Sequence, residues 1–355
     1  MSAVAIQRAK PAAAVDFIAR VYTKAGLPAG DARRVAELMI AADLAGNDGH
    51  GIMRTGPYLE RIEAGGINKA PSIKVSQTGA STAIVDGDNA MGHLCLDKAV
   101  KAGIAMARET GCGWVGIHHS NHAGAAGVYA QLAADEGMIG IYAAVASANH
   151  MAAWGSAEPK LGTNPIAFAI PGEPPFVLDI ATTISSYGKV KTHALKGLPL
   201  EPGWMVDKTT GEPILDPNKA GNGVLLPIGG YKGSGLNVMI GLLAGTLNGA
   251  FFGSDVVDFN ADKASMTNTG QFFMALDIAR FRPLEAFTAD SRAKLDDLRA
   301  SKPLPGVDAV RMPGDERAKR QTEYQTQGIP IAMPLVMQLD AIAARLGVAK
   351  LEVPG

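Results

Sequence analysis

Residues 97–117 read DKAVKAGIAMARETGCGWVGI, and their order decides the fold class. The tail Gly111-Cys112-Gly113-Trp114-Val115-Gly116 matches GxGxxG by letter. In a dinucleotide fingerprint those glycines follow a strand and open a helix, so that phosphates meet a helix N-terminus. Here the order is reversed. Asp97 to Glu109 places Val100 and Ile104 on one helical face, with Gly111 as the C-terminal stop. Trp114 to Ile117 then reads as a short strand. The Rossmann reading of this segment is rejected. A Walker A loop is absent too, because Gly230-Tyr231-Lys232-Gly233-Ser234-Gly235 lacks the GxxxxGK spacing.

Outward from this unit, strands alternate with helices. Ser81 to Asp86, Met138 to Val145, Ile166 to Ile170, Phe176 to Ile180 and Gln271 to Leu276 read as strands. Gly124 to Glu136 is a helix striped by Ala125, Val128, Tyr129 and Leu132. This alternation predicts an α/β domain. Upstream lie two helices in the first 50 residues. The second is marked by Val35, Leu38, Met39 and Ala42, with Asp31 placed to cap it. A polar loop, Asn47 to Gly51, and a helix over Tyr58 to Ala64 follow. Leu236 to Leu247 is an apolar helix; Leu284 to Ser301 is charged, and Pro334 to Leu346 is amphipathic. Gly241, Gly245 and Gly249 recur at four-residue spacing, which predicts a helix packed closely between domains or subunits.

The bulk numbers exclude several classes. The chain has 355 residues, room for about two domains. Lys plus Arg is 33 against 34 for Asp plus Glu, so there is no basic footprint for nucleic acid or anionic lipid. The two cysteines, Cys95 and Cys112, sit in no CxxC and read as reduced thiols of a cytoplasmic protein. The Leu236 to Phe252 run is short for a membrane span and carries Asn237 and Asn248.

Six polar segments are candidates for chemistry. His50 lies in a glycine-flanked loop, and Arg54 follows at a spacing that puts both on one helical face. A histidine can move a proton near neutrality, and an arginine can hold a carboxylate by two parallel hydrogen bonds. The alternative is an unrelated surface pair. His118, His119 and His122 could mean the metal of a hydrolase, a remote alternative, but no nearby Cys, Asp or Glu offers a fourth ligand, so an anion or dinucleotide cradle before the helix at Gly124 is preferred. Thr163 and Asn164, in Gly162-Thr163-Asn164-Pro165, can aim polar groups into a cleft. Asp179-Ile180-Ala181-Thr182 ends a strand, where ligands often bind in α/β sheets. Tyr231-Lys232 opens the apolar helix, and Arg311 to Arg317 is a polar loop. Each of the last three, taken alone, reads better as an ordinary solvated loop or turn.

Together the segments resemble the malate/L-lactate dehydrogenase family that lacks a Rossmann fold, which includes ureidoglycolate, sulfolactate and diketogulonate enzymes and reductases of cyclic imino acids. The resemblance rests on ADLAGNDGHGIMRTGPYLERIEAGGIN, HHSNHAGAAGVYAQLAADEGMIGI, LGTNPIAFAIP, VLDIATT, GGYKGSGL, NTGQFFMALD and VRMPGDER, in family order from about residue 41 to 317. It implies a non-Rossmann dinucleotide-binding domain with a mixed sheet over 76–282. A helical part would be built from both ends of the chain, 1–75 and 283–355. It implies His50 as the acid/base group and Arg54 on the substrate carboxylate, with Thr163 beside the substrate. The dinucleotide, NAD or NADP, would be held by His122, Ala123, Gly124, Ala125 and Ala126, by Asp179, Ile180, Ala181 and Thr182, by Tyr231 and Lys232, and by Pro313, Gly314, Asp315, Glu316 and Arg317. It implies a homodimer, a 2-oxo acid/2-hydroxy acid pair as substrate with a cyclic imino acid as the rival, and no metal. Three departures stand out: Gly49 where family members often have Ser, Thr182-Thr183 where many members read ATS, and Ser234 in place of a usual Tyr.

Overall fold

Gly111 lies in the left-handed region, φ 92°, and its N–H donates to the Ala107 carbonyl at 2.8 Å. A helix precedes it and a strand follows, as the sequence predicts. Its companions serve packing: a Cβ on Gly113 would stand 2.2 Å from the Gly103 carbonyl oxygen, and one on Gly116 would stand 2.0 Å from Asn248 Oδ1.

The computed structural model describes residues 5–146 and 148–353. The N-terminal part holds β1 (Ile6–Ala9), α1 (Pro11–Lys24), α2 (Ala29–Leu44) and α3 (Thr55–Ala64). Then come β2 (Lys74–Gly79), β3 (Thr82–Asp86), α4 (Gly92–Thr110), β4 (Cys112–Ser120), α5 (Ala126–Ala134), β5 (Met138–Ala144), β6 (Ile166–Ile170) and β7 (Phe176–Ile180). The middle holds α6 (Tyr187–Lys196), β8 (Met205–Asp207), β9 (Gly223–Leu225) and α7 (Tyr231–Ile240). The chain closes with β10 (Thr269–Asp277), α8 (Leu284–Arg299), α9 (Asp315–Gln327), β11 (Ile329–Ala332) and α10 (Met333–Leu346).

Seven strands form one mixed sheet in the order β2-β3-β4-β10-β5-β6-β7. β3 and β4 run parallel, and the other neighbours are antiparallel. Helices α4 and α5 cover one face, burying Val100, Tyr129 and Phe273 in one core. On the other face Ile240 and Ala244 meet Val145 and Phe272. The two ends of the chain share a second core of Phe17, Ile18, Leu59, Ile62 and Leu339, and β1 pairs with β11 beside it.

Some elements escape the sequence pattern for physical reasons. β2 is exposed along its whole length, so nothing imposes alternation. α9 has no buried residue and therefore no apolar stripe; it starts at Asp315, so the last three residues of the expected 311–317 loop are its first turn. Asp31 lies in the first turn of α2, but Pro28 is at the cap position and no side chain caps it. The apolar helix is broken: α7 runs into a π-turn over Gly241–Gly245 and a 3-10 turn over Thr246–Asn248. Its glycines admit neighbours from this chain. A Cβ on Gly241 would meet the Phe252 ring at 2.0 Å, and one on Gly245 would stand 3.1 Å from Val145. Leu236, Met239, Leu242 and Leu247 remain exposed, so the helix is not buried within one chain. Among the described residues, no helix is long and apolar enough to cross a membrane.

Arg61 of α3 ties these parts together. It is the largest fully buried side chain, 1% exposed. Nη1 donates to the Asp262 carbonyl at 2.6 Å. Nη2 donates to the carbonyls of Gly66 and Ser265 at 2.9 and 2.8 Å and to Asn121 Oδ1 at 3.3 Å. Lysine has no fork to replace these contacts, and buried acceptors left unpaired are costly. Arg61→Lys should lower the unfolding free energy by about 2–4 kcal/mol, since hydrogen bonds to charged groups contribute about 1.5–3 kcal/mol each. An unchanged urea midpoint with an unchanged slope would deny Arg61 this role.

Candidate active site

A cleft of ≈ 600 Å³ opens between the N-terminal helices and the sheet. Its wall includes Asn47, His50, the run His122 to Ala126, Ala144, Ala146, Thr163, Asp179, Ile180, Ala181 and Gln271. The structure thus gathers here His50, Thr163, His122, Ala123, Gly124, Ala125, Ala126, Asp179, Ile180 and Ala181, all of them sequence candidates.

The His50 loop is made by two 3-10 turns, Asp48–His50 and Ile52–Arg54, broken at Gly51. The break rests on a buried carboxylate. Asp43 accepts a hydrogen bond from the Ile52 N–H at 2.8 Å. A Cβ on Gly51 would sit 2.0 Å from Asp43 Oδ1, so only glycine fits. Burial pushes the Asp43 carboxyl up to about 8, which the Ile52 bond offsets in part and nearby Asp48 reinforces. His50 and Arg54 therefore sit on consecutive tight turns, not on one helical face.

Two imidazoles face each other across this corner. The His50 and His122 rings stack with centroids 5.7 Å apart. His122 Nδ1 lies 2.5 Å from Tyr58 Oη and accepts from the Gly124 N–H at 3.3 Å. That acceptor role fixes the neutral tautomer with hydrogen on Nε2. Phe259 also stacks on His122, with ring centroids 5.1 Å apart. Burial, and next the Arg54 charge, lower His50 to about 4 and hold His122 well below the usual imidazole range. Both rings are neutral at pH 7. Arg54 does not line the cleft wall itself. Its Nε donates to the Gly49 carbonyl at 2.7 Å, and its guanidinium lies 5.8 Å from the centre of the Phe259 ring. Among the described residues its Nη groups have no hydrogen-bond partner, so the outer edge of the fork stays open to an anion.

Asp179 holds the far side. Its Oδ2 accepts from the Gly127 N–H at the start of α5 at 2.8 Å and from Asn47 Nδ2 at 3.1 Å. The carboxylate therefore occupies one of the N–H groups that a phosphate would seek there. Thr182 is buried and turned away from the cleft. Its hydroxyl donates to the Thr163 carbonyl at 2.9 Å and accepts from Asn237 Nδ2 at 2.7 Å. Asn164 joins the same network through Asn237 Oδ1 at 2.9 Å, so it does not aim into the cleft. Tyr231 and Lys232 are exposed and lie off this wall, as do Pro313, Gly314, Asp315 and Glu316. Asp315 is paired with Arg299 at 2.7 Å. Arg317 is half-buried, donates to Gln131 Oε1 and places its charge near Asp179.

The histidine cluster divides. His122 belongs to the cleft, while His118 and His119 stack on each other at 4.3 Å and face Asp86. The carboxylate missing from the local sequence comes from 32 residues upstream, because β3 and β4 run parallel with Asp86 in register with His118. Sequence reading also passed over Asp43, Tyr58, Phe259 and His93. His93 is fully buried beside Tyr58, and among the described residues neither ring nitrogen has a hydrogen-bond partner. Asp43 and Tyr58 fall within the quoted run, but only the fold shows that they support His50 and His122. Of the departures, the space beside Gly49 is empty for 4 Å, and Ser234 Oγ accepts from the Trp154 N–H at 2.9 Å.

Comparison with known proteins agrees with this geometry. The family model described as malate/L-lactate dehydrogenase matches residues 9–340. The chain is 38% identical over 346 residues to a malate dehydrogenase of Pyrococcus abyssi, covering 95% of this chain and 94% of that one. It is 36% identical to a ureidoglycolate dehydrogenase (NAD(+)) of Escherichia coli O157:H7, covering 87% and 88%. The solved malate dehydrogenase of Pyrococcus horikoshii superposes with a TM-score of 0.89 at 34% identity, covering 99% of each chain. A cleft lined by two neutral imidazoles, with Arg54 close to both but off its wall, accompanies a match along nearly the whole length, and the match leads to one conclusion: the chain belongs to the malate/L-lactate dehydrogenase family.

Proposed function

We propose that this chain is an NAD- or NADP-dependent dehydrogenase of a small 2-hydroxy acid of the malate/lactate kind, working in the cytoplasm as a homodimer. The observation that carries the reading is the corner where His50 and His122 stack beside the open Arg54 fork. The residues present fit a nicotinamide cofactor: Ala123, Ala125, Ala126, Ala144, Ala146 and Ala181 leave a smooth wall against which a flat ring can lie. When bound, that group supplies the hydride acceptor or donor.

In this reading Arg54 holds the substrate carboxylate by two parallel bonds, and Thr163 borders the substrate. His50, neutral at pH 7, takes the hydroxyl proton during oxidation and returns it to the carbonyl oxygen during reduction. His122, Ala123 to Ala126 and Asp179 to Ala181 would line the dinucleotide site, with Thr182 behind them in the buried network of Thr163 and Asn237. Arg317, beside Asp179, extends that surface towards the start of α9. The family resemblance adds Tyr231, Lys232 and Pro313 to Glu316, which lie off the cleft wall, as residues that would hold the dinucleotide. The relatives' names divide on the cofactor: the ureidoglycolate enzyme is named for NAD(+), and a (2R)-3-sulfolactate dehydrogenase of Chromohalobacter salexigens, 32% identical, for NADP(+). A reductase of a cyclic imino acid is the second reading, because a solved delta1-piperideine-2-carboxylate reductase superposes with a TM-score of 0.82 at 28% identity. The homodimer reading is supported by the apolar surface of Leu236, Met239, Leu242 and Leu247, 38–63% exposed on one chain.

The first test follows absorbance at 340 nm with NADH and NADPH against oxaloacetate, pyruvate, other 2-oxo acids and cyclic imino acids. Oxidation with a 2-oxo acid supports the proposal, and oxidation with imino acids alone selects the second reading. His50→Ala should reduce turnover by roughly 10²–10⁴ with cofactor affinity retained. If His122→Ala suffers that loss while His50→Ala turns over near normally, the proton belongs to His122. In the oxidation direction kcat/KM, which reports the free enzyme, should stay level from pH 8 to about 5 and fall as His50 protonates near pH 4. An inflection near pH 6.5 that vanishes in His50→Ala would refute the depressed value. Arg54→Lys should raise KM by roughly tenfold or more, since a point charge cannot replace the fork. Met239→Glu should convert the protein to monomer in sedimentation; a monomeric parent would remove the dimer.

A further inference from the structure

Outside the cleft wall, a second cluster has no part in the proposed reaction. Successive side chains of a strand point to opposite faces. His118 and His119 are consecutive residues near the end of β4, so they should diverge. They do not, because His119 takes the left-handed conformation at φ 46°. This turn swings the rings together, 4.3 Å apart and 26° from parallel. Asp86, last residue of β3, stands level with His118, and its Oδ1 lies 3.0 Å from His119 Nδ1. One ligand atom from each residue falls within 4.8 Å of the other two. His119 and Asp86 side chains are 43% and 45% exposed, so solvent reaches them. The backbone is fixed on both sides. The His119 N–H donates to Asn268 Oδ1 at 2.7 Å, and the His118 and His119 carbonyls accept from Gly87 and Asn89 at 3.0 and 2.8 Å. A non-glycine residue keeps such a conformation only where its surroundings hold it.

We propose that Asp86, His118 and His119 form a binding site for a divalent transition-metal ion of the zinc or nickel class, distinct from the dehydrogenase cleft. Two imidazoles and one carboxylate suit such ions, with water completing the shell; calcium and magnesium would call for oxygen ligands throughout. The ion would join the end of β3 to the end of β4. From these ends spring the loop of Asn89 and the loop of Asn121 and His122, already laced by Asn121 Nδ2 to Asn89 Oδ1 at 3.0 Å. Occupancy therefore stiffens the support behind His122 without entering the cleft.

The test strips the full-length protein with a chelator, dialyses it, and titrates zinc chloride against a chromophoric zinc indicator, with cobalt chloride followed by its visible bands in parallel. One equivalent per chain is expected, with a melting temperature that rises with zinc. His118→Ala and His119→Gly should each weaken binding at least tenfold. The glycine variant suits the left-handed backbone and so keeps the fold while removing the ligand. No stoichiometric binding, or wild-type affinity in His119→Gly, overturns the proposal. So does binding that survives both variants and is lost in His50→Ala, which would put the ion in the cleft.

Discussion

A guanidinium sealed from water at Arg61 is the constraint on which the site rests. It reaches the carbonyls of Gly66, Asp262 and Ser265 and the side chain of Asn121. Those acceptors come from three distant stretches of chain, and Asn121 directly precedes His122. A buried cation is costly unless its donors are met; the Nη groups find four acceptors while Nε has none among the described residues, so the Nη fork dictates where the three stretches lie. The N-terminal helices, which bring His50 and Arg54, are thereby registered against the sheet, which brings His122 and Asp179.

The second constraint is electrostatic. His50, His93 and His122 are held neutral by burial, and Arg54 adds to that effect at His50 and His122. Asp43 is held protonated near neutrality by the same removal from water. The corner thus carries one strong positive charge, Arg54, beside neutral groups. Under the proposed function, an anionic substrate would meet that cation beside a neutral imidazole. Unfolded imidazoles bind protons at higher pH than these buried ones, so acid destabilises the folded chain through this corner as pH falls from about 6.5 towards 4.

Much of this was legible in the residues because local physics governs it. Gly111 ends a helix through a left-handed φ, so the reversed GxGxxG could be dismissed from order alone. β6 and β7 are apolar runs between turn residues, and their ends match the sequence reading. The segments 50–54, 122–126, 163 and 179–182 were each visible as polar breaks between regular elements, though none alone spoke for function. What escaped depends on distant partners. The carboxylate facing His118 comes from Asp86, through a parallel register that spacing does not encode. Thr182 and Asn164 looked like cleft residues, but Asn237 of α7 draws both into a buried network. α9 has no apolar stripe, so periodicity passed over it.

The sheet order has a consequence for the making of the protein. β10 lies between β4 and β5, yet it follows them in the chain by more than a hundred residues. A nascent chain that has just released β7 holds six strands of the sheet with the middle one missing. β4 and β5 then each present an open edge of N–H and C=O groups, and Phe273, which fills the core between them and the helices, has not been made. Arg61 likewise waits for the carbonyls of Asp262 and Ser265. Closure is therefore a late event of high contact order, slow by topology and exposed to mispairing while ribosomes are still translating.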